Sequence, residues 1–190
     1  MPLNLPNILT LLRVACIPLL VLLFYLPPPM ATWGAAAVFL VAAVTDWLDG
    51  WLARRSNQMT AFGAFLDPVA DKLIVATALV LLAERFDSGF ITVSACVVIG
   101  REIVVSALRE WMAQLGRRAS VAVTNVAKFK TALQMTAIIV LLTSMPGVGY
   151  LPWYWLGQAL LAIAVVLTLW SMVIYLRVFA EVVRETDGEN

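Results

Sequence analysis

Residues 46–71 read DWLDGWLARRSNQMTAFGAFLDPVAD, and they place four aspartates and two glycines within 26 positions. The segments on both sides are apolar enough to cross a bilayer, where carboxylates are costly unless something binds them. Oxygen ligands without histidine or thiolate favour a hard cation such as Mg²⁺ or Mn²⁺. The stretch therefore predicts a divalent-metal site at a membrane boundary, a setting that favours phosphoryl transfer on a lipid-borne substrate.

The composition indicates an integral membrane protein. Of the 190 residues, 62% are hydrophobic and 13% are charged, whereas soluble domains average about 45–50% apolar and about 25% charged residues. The chain contains no histidine. Because histidine is the usual base at neutral pH, any general base in this protein must be an aspartate or a glutamate.

Six stretches reach the roughly 20 mainly apolar residues that a membrane-spanning helix needs. Turn-forming residues separate them, with three prolines at 27–29 and Asp-Ser-Gly at 87–89. We therefore predict an all-α integral membrane protein with six transmembrane helices in one bundle, and residues 1–190 as a single domain. The predicted spans are 8–26, 31–52, 64–82, 90–108, 125–144 and 151–176.

The basic residues indicate the orientation of the bundle. Threading six helices through a membrane places all 13 lysines and arginines except Arg85 on one side or in the helix halves that face it. Lysine and arginine are enriched in cytoplasmic loops. Both termini and the aspartates are therefore expected at the cytoplasmic face, with a polar cavity open to that side. For Arg55 and Arg184, topology alone is a sufficient reason for the charge.

Helical periodicity groups the aspartates into two pairs. At 100° per residue, an arc of roughly 140° on the second helix and one of roughly 80° on the third combine carboxylates with small residues. Two divalent ions about 3.5–4 Å apart would neutralise the carboxylates and clamp a diphosphate. Pro68 suits a first helical turn, so the third helix is predicted to begin just before Asp67. The arcs contain Asp46, Asp49, Gly50, Ala53 and Arg54, and then Gly63, Asp67 and Asp71.

Helix packing and ion transport are the two alternatives that remain open for this cluster. Small residues at four-residue spacing also hold transmembrane helices together, so Gly50, Ala53 or Gly63 taken alone fits helix packing. An ion-coupled transporter would also need carboxylates within the membrane, but it should carry polar residues through the midplane. The second and third helices lose polarity beyond the cluster, which favours phosphoryl transfer.

The fixed positions D-x2-D-G-x2-A-R-x8-G-x3-D-x3-D resemble the signature of the CDP-alcohol phosphotransferases, and residues 46–71 match every position and spacing. Three further stretches are similar to the branch of that family whose acceptor is sn-glycerol 3-phosphate. They are NLPNILTLLR at 4–13, REIVVSALREWM at 101–112 and LTLWSM at 167–172. The resemblance covers nearly the whole chain.

The resemblance implies a reaction and its site residues. CDP-diacylglycerol and sn-glycerol 3-phosphate would give phosphatidylglycerophosphate and CMP in the bacterial inner (cytoplasmic) membrane. Asp71 would be the base, and Gly50, Ala53, Arg54 and Gly63 would contact CDP. The two Mg²⁺ or Mn²⁺ ions would be held by Asp46, Asp49, Asp67 and Asp71.

The resemblance also implies partners. Membrane lipids and a second copy of the chain in a homodimer are expected, and no nucleic acid. Other branches of the family use serine, inositol, an aminoalcohol or a phospholipid such as phosphatidylglycerol as acceptor, and these acceptors are the alternatives to glycerol 3-phosphate.

Basic residues outside the motif are candidates for binding the acceptor phosphate. Arg101 lies about halfway along the predicted fourth helix, where a charge needs a partner. It either faces the cavity or forms a buried ion pair with Glu102. Arg109, Lys128 and Lys130 are either ligands of the acceptor phosphate or cations that extend to lipid headgroups.

Polar residues at three-residue steps mark the start of the first helix: Asn7, Thr10 and Arg13. They either cap that helix or border the nucleotide. We predict Asn7 and Thr10 as nucleotide contacts and place Arg13 with the candidate acceptor-phosphate residues.

Overall fold

A computed structural model describes residues 5–56, 61–114, 125–145 and 151–188, and for some helical residues, among them 49–56 and 125–128, the backbone alone. Every regular element within these ranges is helical, which confirms the all-α fold class. A five-residue π-helical turn, Met30–Gly34, precedes the second α-helix. The α-helices are α1 (Leu5–Phe24), α2 (Ala35–Ser56), α3 (Ala61–Phe86), α4 (Gly89–Gln114), α5 (Asn125–Thr143) and α6 (Leu151–Gly188).

The turn residues act where the sequence predicted them. α1 ends at Phe24, and three prolines follow at 27–29. Proline lacks the backbone N–H that a continuing helix would need. Asp87 joins α3 to α4 with a φ of 43°, a left-handed conformation that aspartate adopts more readily than most residues. Gly89 then starts α4, and the Thr92 N–H donates to the Ser88 carbonyl at 2.9 Å.

Three segments of the described chain are long and apolar enough to cross a membrane: Asn7–Phe24, Gly89–Met112 and Pro152–Arg177. Two shorter apolar segments, Met30–Asp46 and Phe129–Thr143, cover the first half of α2 and most of α5. Aspartates, a lysine, a glutamate and an arginine interrupt the apolar run of α3. Six membrane crossings therefore remain a prediction.

The packing of α1 determines which residues meet the aspartates. α1 lies against both α2 and α3, α3 also contacts α4 and α5, and α6 lies against α4 and α5. Leu20 of α1, Phe39 of α2 and Leu79 of α3 are buried together in the core. A Cβ atom at Gly157 would lie 2.7 Å from the Leu141 side chain, so the glycine allows α6 to approach α5 closely.

The predicted start of the third helix is wrong. α3 begins at Ala61 rather than just before Asp67, so Pro68 lies inside the helix. The missing N–H of Pro68 removes a single hydrogen bond, to the carbonyl four residues earlier. Neighbouring helices make such prolines tolerable in membrane proteins, and α3 is packed by four of them.

Arg85 organises the end of α3 that lies opposite the aspartates. Its guanidinium donates to the Leu142 carbonyl at 2.9 Å and also to the Ala31 carbonyl. The same group lies 3.9 Å from the centroid of the Phe24 ring. Fourteen residues separate Asp71 from Arg85, or about 21 Å of helix. We call the last turn of α3, together with the partners of Arg85, the Arg85 end. The Arg85 guanidinium there binds backbone carbonyls of the protein itself.

Candidate active site

The motif aspartates with described side chains lie on two adjacent helices, Asp46 on α2 and Asp67 and Asp71 on α3. The carboxylates of Asp46 and Asp71 are close enough to interact electrostatically, and like charges at such distances repel unless a cation lies nearby. Within the described part of the chain, no three carboxylates or thiols form a group that could hold a metal ion. Asp49, the fourth predicted ligand, has only its backbone described, on α2.

Helix α1 presents a polar face to these aspartates, which we define as Asn7, Thr10 and Arg13. All three side chains are buried. Arg13 Nη1 lies 3.0 Å from Asp46 Oδ1, and the Thr10 hydroxyl donates a hydrogen bond to Asp67 Oδ1. The α1 polar face therefore contacts one carboxylate from α2 and one from α3.

A cavity of about 70 Å³ lies beside Asp71, between α3, α4 and α5. Lys72 at its wall donates to the Ser106 hydroxyl. Gln134, another lining residue, is only 5% exposed. The lining residues are Asp71, Lys72, Val75, Glu102, Thr131, Gln134 and Met135. The cavity thus combines a carboxylate suited to proton transfer with polar groups suited to hydroxyls.

Basic side chains gather on the α4–α5–α6 side of this cavity. Arg101 is 8% exposed; it pairs with Glu102 and donates to the Ser171 hydroxyl at 3.0 Å. Lys130 is 4% exposed and interacts electrostatically with Arg101, Arg109 and Glu102. Among the described residues, the electrostatic partners of Lys130 are thus two cations and one carboxylate. The ion pair considered as an alternative for Arg101 is confirmed, and around Lys130 the described cations outnumber the described carboxylates.

The remaining candidate cations are placed differently. Arg109 is exposed and donates to the Tyr175 hydroxyl, with its guanidinium 5.0 Å from that ring centroid. Lys128 lies on the first turn of α5, where only the backbone is described. Arg109 and Lys128 as acceptor contacts stay predictions.

The CDP-alcohol phosphatidyltransferase family model matches residues 3–170. The chain belongs to the CDP-alcohol phosphatidyltransferase family. Among its relatives are proteins of Escherichia coli strain K12 and Shigella flexneri serotype 5b, both named CDP-diacylglycerol–glycerol-3-phosphate 3-phosphatidyltransferase. Each is 54% identical over 179 residues, which cover 93% of this chain and 94% of the relative. The resemblance drawn from the motif is confirmed.

Enzymes of the CDP-alcohol phosphatidyltransferase family use divalent metal ions, and the neighbouring carboxylates of Asp46 and Asp71 are chemically suited to such ions. Hard divalent cations prefer carboxylate oxygens, and a cation would relieve the repulsion between Asp46 and Asp71. Arg13 contacts one oxygen of Asp46; a carboxylate has two, so this contact is compatible with metal ligation. The identity and number of the ions remain predictions.

The predicted CDP contacts of this phosphatidyltransferase are only partly described. Gly50, Ala53 and Arg54 lie in the last two turns of α2 with no described side chains, and Gly63 is buried in the first turn of α3. Their role in CDP binding stays a prediction.

Sequence reasoning did not select the polar groups of α5 that line the cavity, Thr131 and Gln134. A signal was present, because a buried amide within an apolar helix marks a functional position more often than not. Gln134 also lies four residues after Lys130, on the same face of α5. That spacing alone could have nominated it.

Proposed function

We propose that this chain transfers the phosphatidyl group of CDP-diacylglycerol to the 1-hydroxyl of sn-glycerol 3-phosphate, giving phosphatidylglycerophosphate and CMP. The observation that carries the proposal is the 54% identity to relatives bearing that name, over 93% of this chain. The complete aspartate motif supports the same activity, since each of its fixed positions is present at residues 46–71.

The acceptor hydroxyl is activated by Asp71 in this mechanism. Asp71 lines the cavity, so its carboxylate accepts the proton of a hydroxyl held there. The freed oxygen forms a bond to the phosphorus that carries the diacylglycerol, and the bond from that phosphorus to the bridging oxygen breaks. The bridging oxygen leaves with CMP. Asp46, Asp49, Asp67 and Asp71 would hold two divalent ions, whose charge offsets that of the diphosphate.

The excess positive charge supports an acceptor that carries a phosphate. Arg101 and Lys130 are both buried, and buried cations in excess of carboxylates call for an anion. Serine and inositol bring no phosphate to that position. Glycerol 3-phosphate would match two of its groups to α5, the phosphate to Lys130 and the 2-hydroxyl to Gln134, which is about 6 Å further along the helix.

The same proposal includes a membrane arrangement. The three long apolar segments and the one-sided distribution of basic residues support six crossings, with the aspartates and both termini at the cytoplasmic face of a bacterial inner membrane. Exposed Trp153, Trp155 and Trp170 on α6 suit contact with lipid or with a second copy in a homodimer.

An acceptor panel tests the proposed activity. Purified chain in detergent is given CDP-diacylglycerol, Mg²⁺ and one acceptor at a time: glycerol 3-phosphate, glycerol, serine or inositol. Release of CMP is measured. We expect rapid release with glycerol 3-phosphate and little with the others. Faster release with serine or inositol would keep the family and overturn this acceptor.

A further inference from the structure

The α1 polar face makes contacts that the sequence did not predict. Arg13 and Thr10 contact the Asp46 and Asp67 carboxylates, while their contacts with the acceptor phosphate and the nucleotide stay predictions. These carboxylates come from different helices, α2 and α3, which are joined by only a short connection. Because α1 lies against both helices, one rigid element holds both carboxylates.

Burial shows which partner depends on the other. Arg13 is 1% exposed, whereas the Asp46 side chain is 44% exposed. A guanidinium so deeply buried needs a carboxylate partner, while Asp46 keeps nearly half of its side-chain surface accessible. Arg13 is therefore the buried partner of an accessible carboxylate, as expected of a group that orients a metal ligand.

We propose that Thr10 and Arg13 are positioning residues for the divalent metals: they hold Asp67 and Asp46 in ligating orientations before any metal binds. Arg13 also offsets the repulsion between Asp46 and Asp71 in the metal-free protein. This inference rests on the proposed function only in assuming that the aspartates bind divalent ions. Removing the partner of a metal-ligating group typically weakens metal binding about 10–100-fold.

The Arg85 end supplies matched controls. The Tyr25 hydroxyl donates to the Glu84 carboxylate at 2.5 Å, a hydroxyl–carboxylate bond between α3 and the residue that follows α1. It mirrors the bond from Thr10 to Asp67. Arg85 mirrors Arg13 as an arginine that joins helices, but its hydrogen-bond partners are backbone carbonyls. Tyr25→Phe and Arg85→Lys thus remove similar contacts far from the aspartates.

The test titrates Mg²⁺ into metal-stripped full-length protein in detergent and follows the unfolding temperature, without substrate. Mg²⁺ that binds only the folded site raises that temperature, so the titration gives a half-saturating concentration. We expect Thr10→Val and Arg13→Lys to raise this concentration about 10–100-fold, because valine lacks the hydroxyl and lysine lacks the planar fork. Thr10→Ser keeps the hydroxyl and should restore near-normal Mg²⁺ binding.

The controls separate positioning from general stability. Tyr25→Phe and Arg85→Lys should lower the unfolding temperature while leaving the half-saturating Mg²⁺ concentration unchanged. If Thr10→Val and Arg13→Lys behave like these controls, α1 has a purely structural role and the inference is overturned. If unmodified protein does not respond to Mg²⁺, both this inference and the metal-dependent mechanism fail. If the Mg²⁺ titrations give the expected results but the acceptor panel shows another preferred acceptor, only the acceptor assignment is overturned.

Discussion

The two ends of α3 use similar side chains for opposite purposes. At the Arg85 end, the arginine donates to the Leu142 and Ala31 carbonyls. At the aspartate end, Arg13 lies against a half-exposed carboxylate, Asp46, while Asp71 lines a cavity. A charge that binds the protein's own backbone joins helices together. In our proposal, a charge that contacts an accessible carboxylate instead orients that carboxylate for a metal ion.

Asp71→Asn, at the aspartate end of α3, should cause the largest loss of turnover. The amide cannot accept the acceptor's proton, and loss of a general base typically costs about 10²–10⁴-fold in rate. CDP-diacylglycerol binding should be retained better than turnover. CMP release and binding of radiolabelled CDP-diacylglycerol measure the two effects.

The matched change at the other end is Glu84→Gln, which removes an exposed carboxylate of α3. It should leave turnover nearly unchanged. Near-normal turnover in Asp71→Asn would remove this residue from the base role, and equal losses in both variants would mean that α3 responds only through its stability.

Lys130→Met should have the next largest effect. The variant loses a buried cation of the proposed phosphate site, and a charge-assisted contact is typically worth about 1.5–3 kcal/mol, or roughly tenfold to a hundredfold in kcat/KM. The loss should appear mainly as a raised KM for glycerol 3-phosphate, with the KM for CDP-diacylglycerol little changed.

Arg184→Gln serves as its control, because Arg184 is an exposed cation on α6 whose charge topology alone accounts for. Kinetics with each substrate varied in turn check both variants. An unchanged KM for glycerol 3-phosphate in Lys130→Met would place the acceptor phosphate elsewhere.

Gln134→Leu should give a smaller, more selective change. Loss of one neutral hydrogen bond costs about 0.5–1.5 kcal/mol, so the KM for glycerol 3-phosphate should rise about two- to tenfold. The unmodified enzyme should prefer glycerol 3-phosphate over 3-hydroxypropyl phosphate, which lacks the 2-hydroxyl. The variant should treat the two acceptors alike.

Thr136→Val is the matched change on the same helix, since the exposed Thr136 hydroxyl donates only within α5, to the Ala132 carbonyl at 2.8 Å. It should keep the preference for the 2-hydroxyl. A Gln134→Leu variant that also keeps this preference would show that Gln134 does not contact the 2-hydroxyl.

Arg85→Met should affect stability rather than chemistry. Two hydrogen bonds to backbone carbonyls and a contact with Phe24 are lost, which should reduce the free energy of unfolding by about 1–3 kcal/mol. Turnover well below the unfolding temperature should stay near normal. Lost turnover in protein that remains folded would mean that the Arg85 end communicates with the site.

The sequence was sufficient for the features that depend on local pattern. Apolar runs and turn residues predicted the helices, and the spacing from Asp46 to Asp71 predicted a family that the comparisons confirm. The start of α3 was wrong because Pro68 was treated as a boundary. Whether a proline ends a helix depends on the packing around it, and single-residue preferences do not contain that information.

The sequence was insufficient where a side chain must choose between partners on other helices. Arg101 carried two open alternatives; the ion pair with Glu102 is present, and a contact with the acceptor phosphate stays a prediction. The contacts of Thr10 and Arg13 with aspartates were not foreseen, and their predicted substrate contacts stay predictions. Periodicity shows which residues share a face of one helix, but the helix packed against that face is known only from the tertiary structure.

The central claim is that divalent metal at the four aspartates is needed for product formation. It is tested most directly by measuring product as Mg²⁺ is returned to metal-stripped protein. Metal-stripped protein receives CDP-diacylglycerol and glycerol 3-phosphate, Mg²⁺ is added in steps, and the lipid product is identified by mass spectrometry. We predict no phosphatidylglycerophosphate without metal and a saturable rise with Mg²⁺, accompanied by equimolar CMP. Phosphatidylglycerophosphate formed at the same rate in excess chelator would contradict a divalent-metal site at the four aspartates.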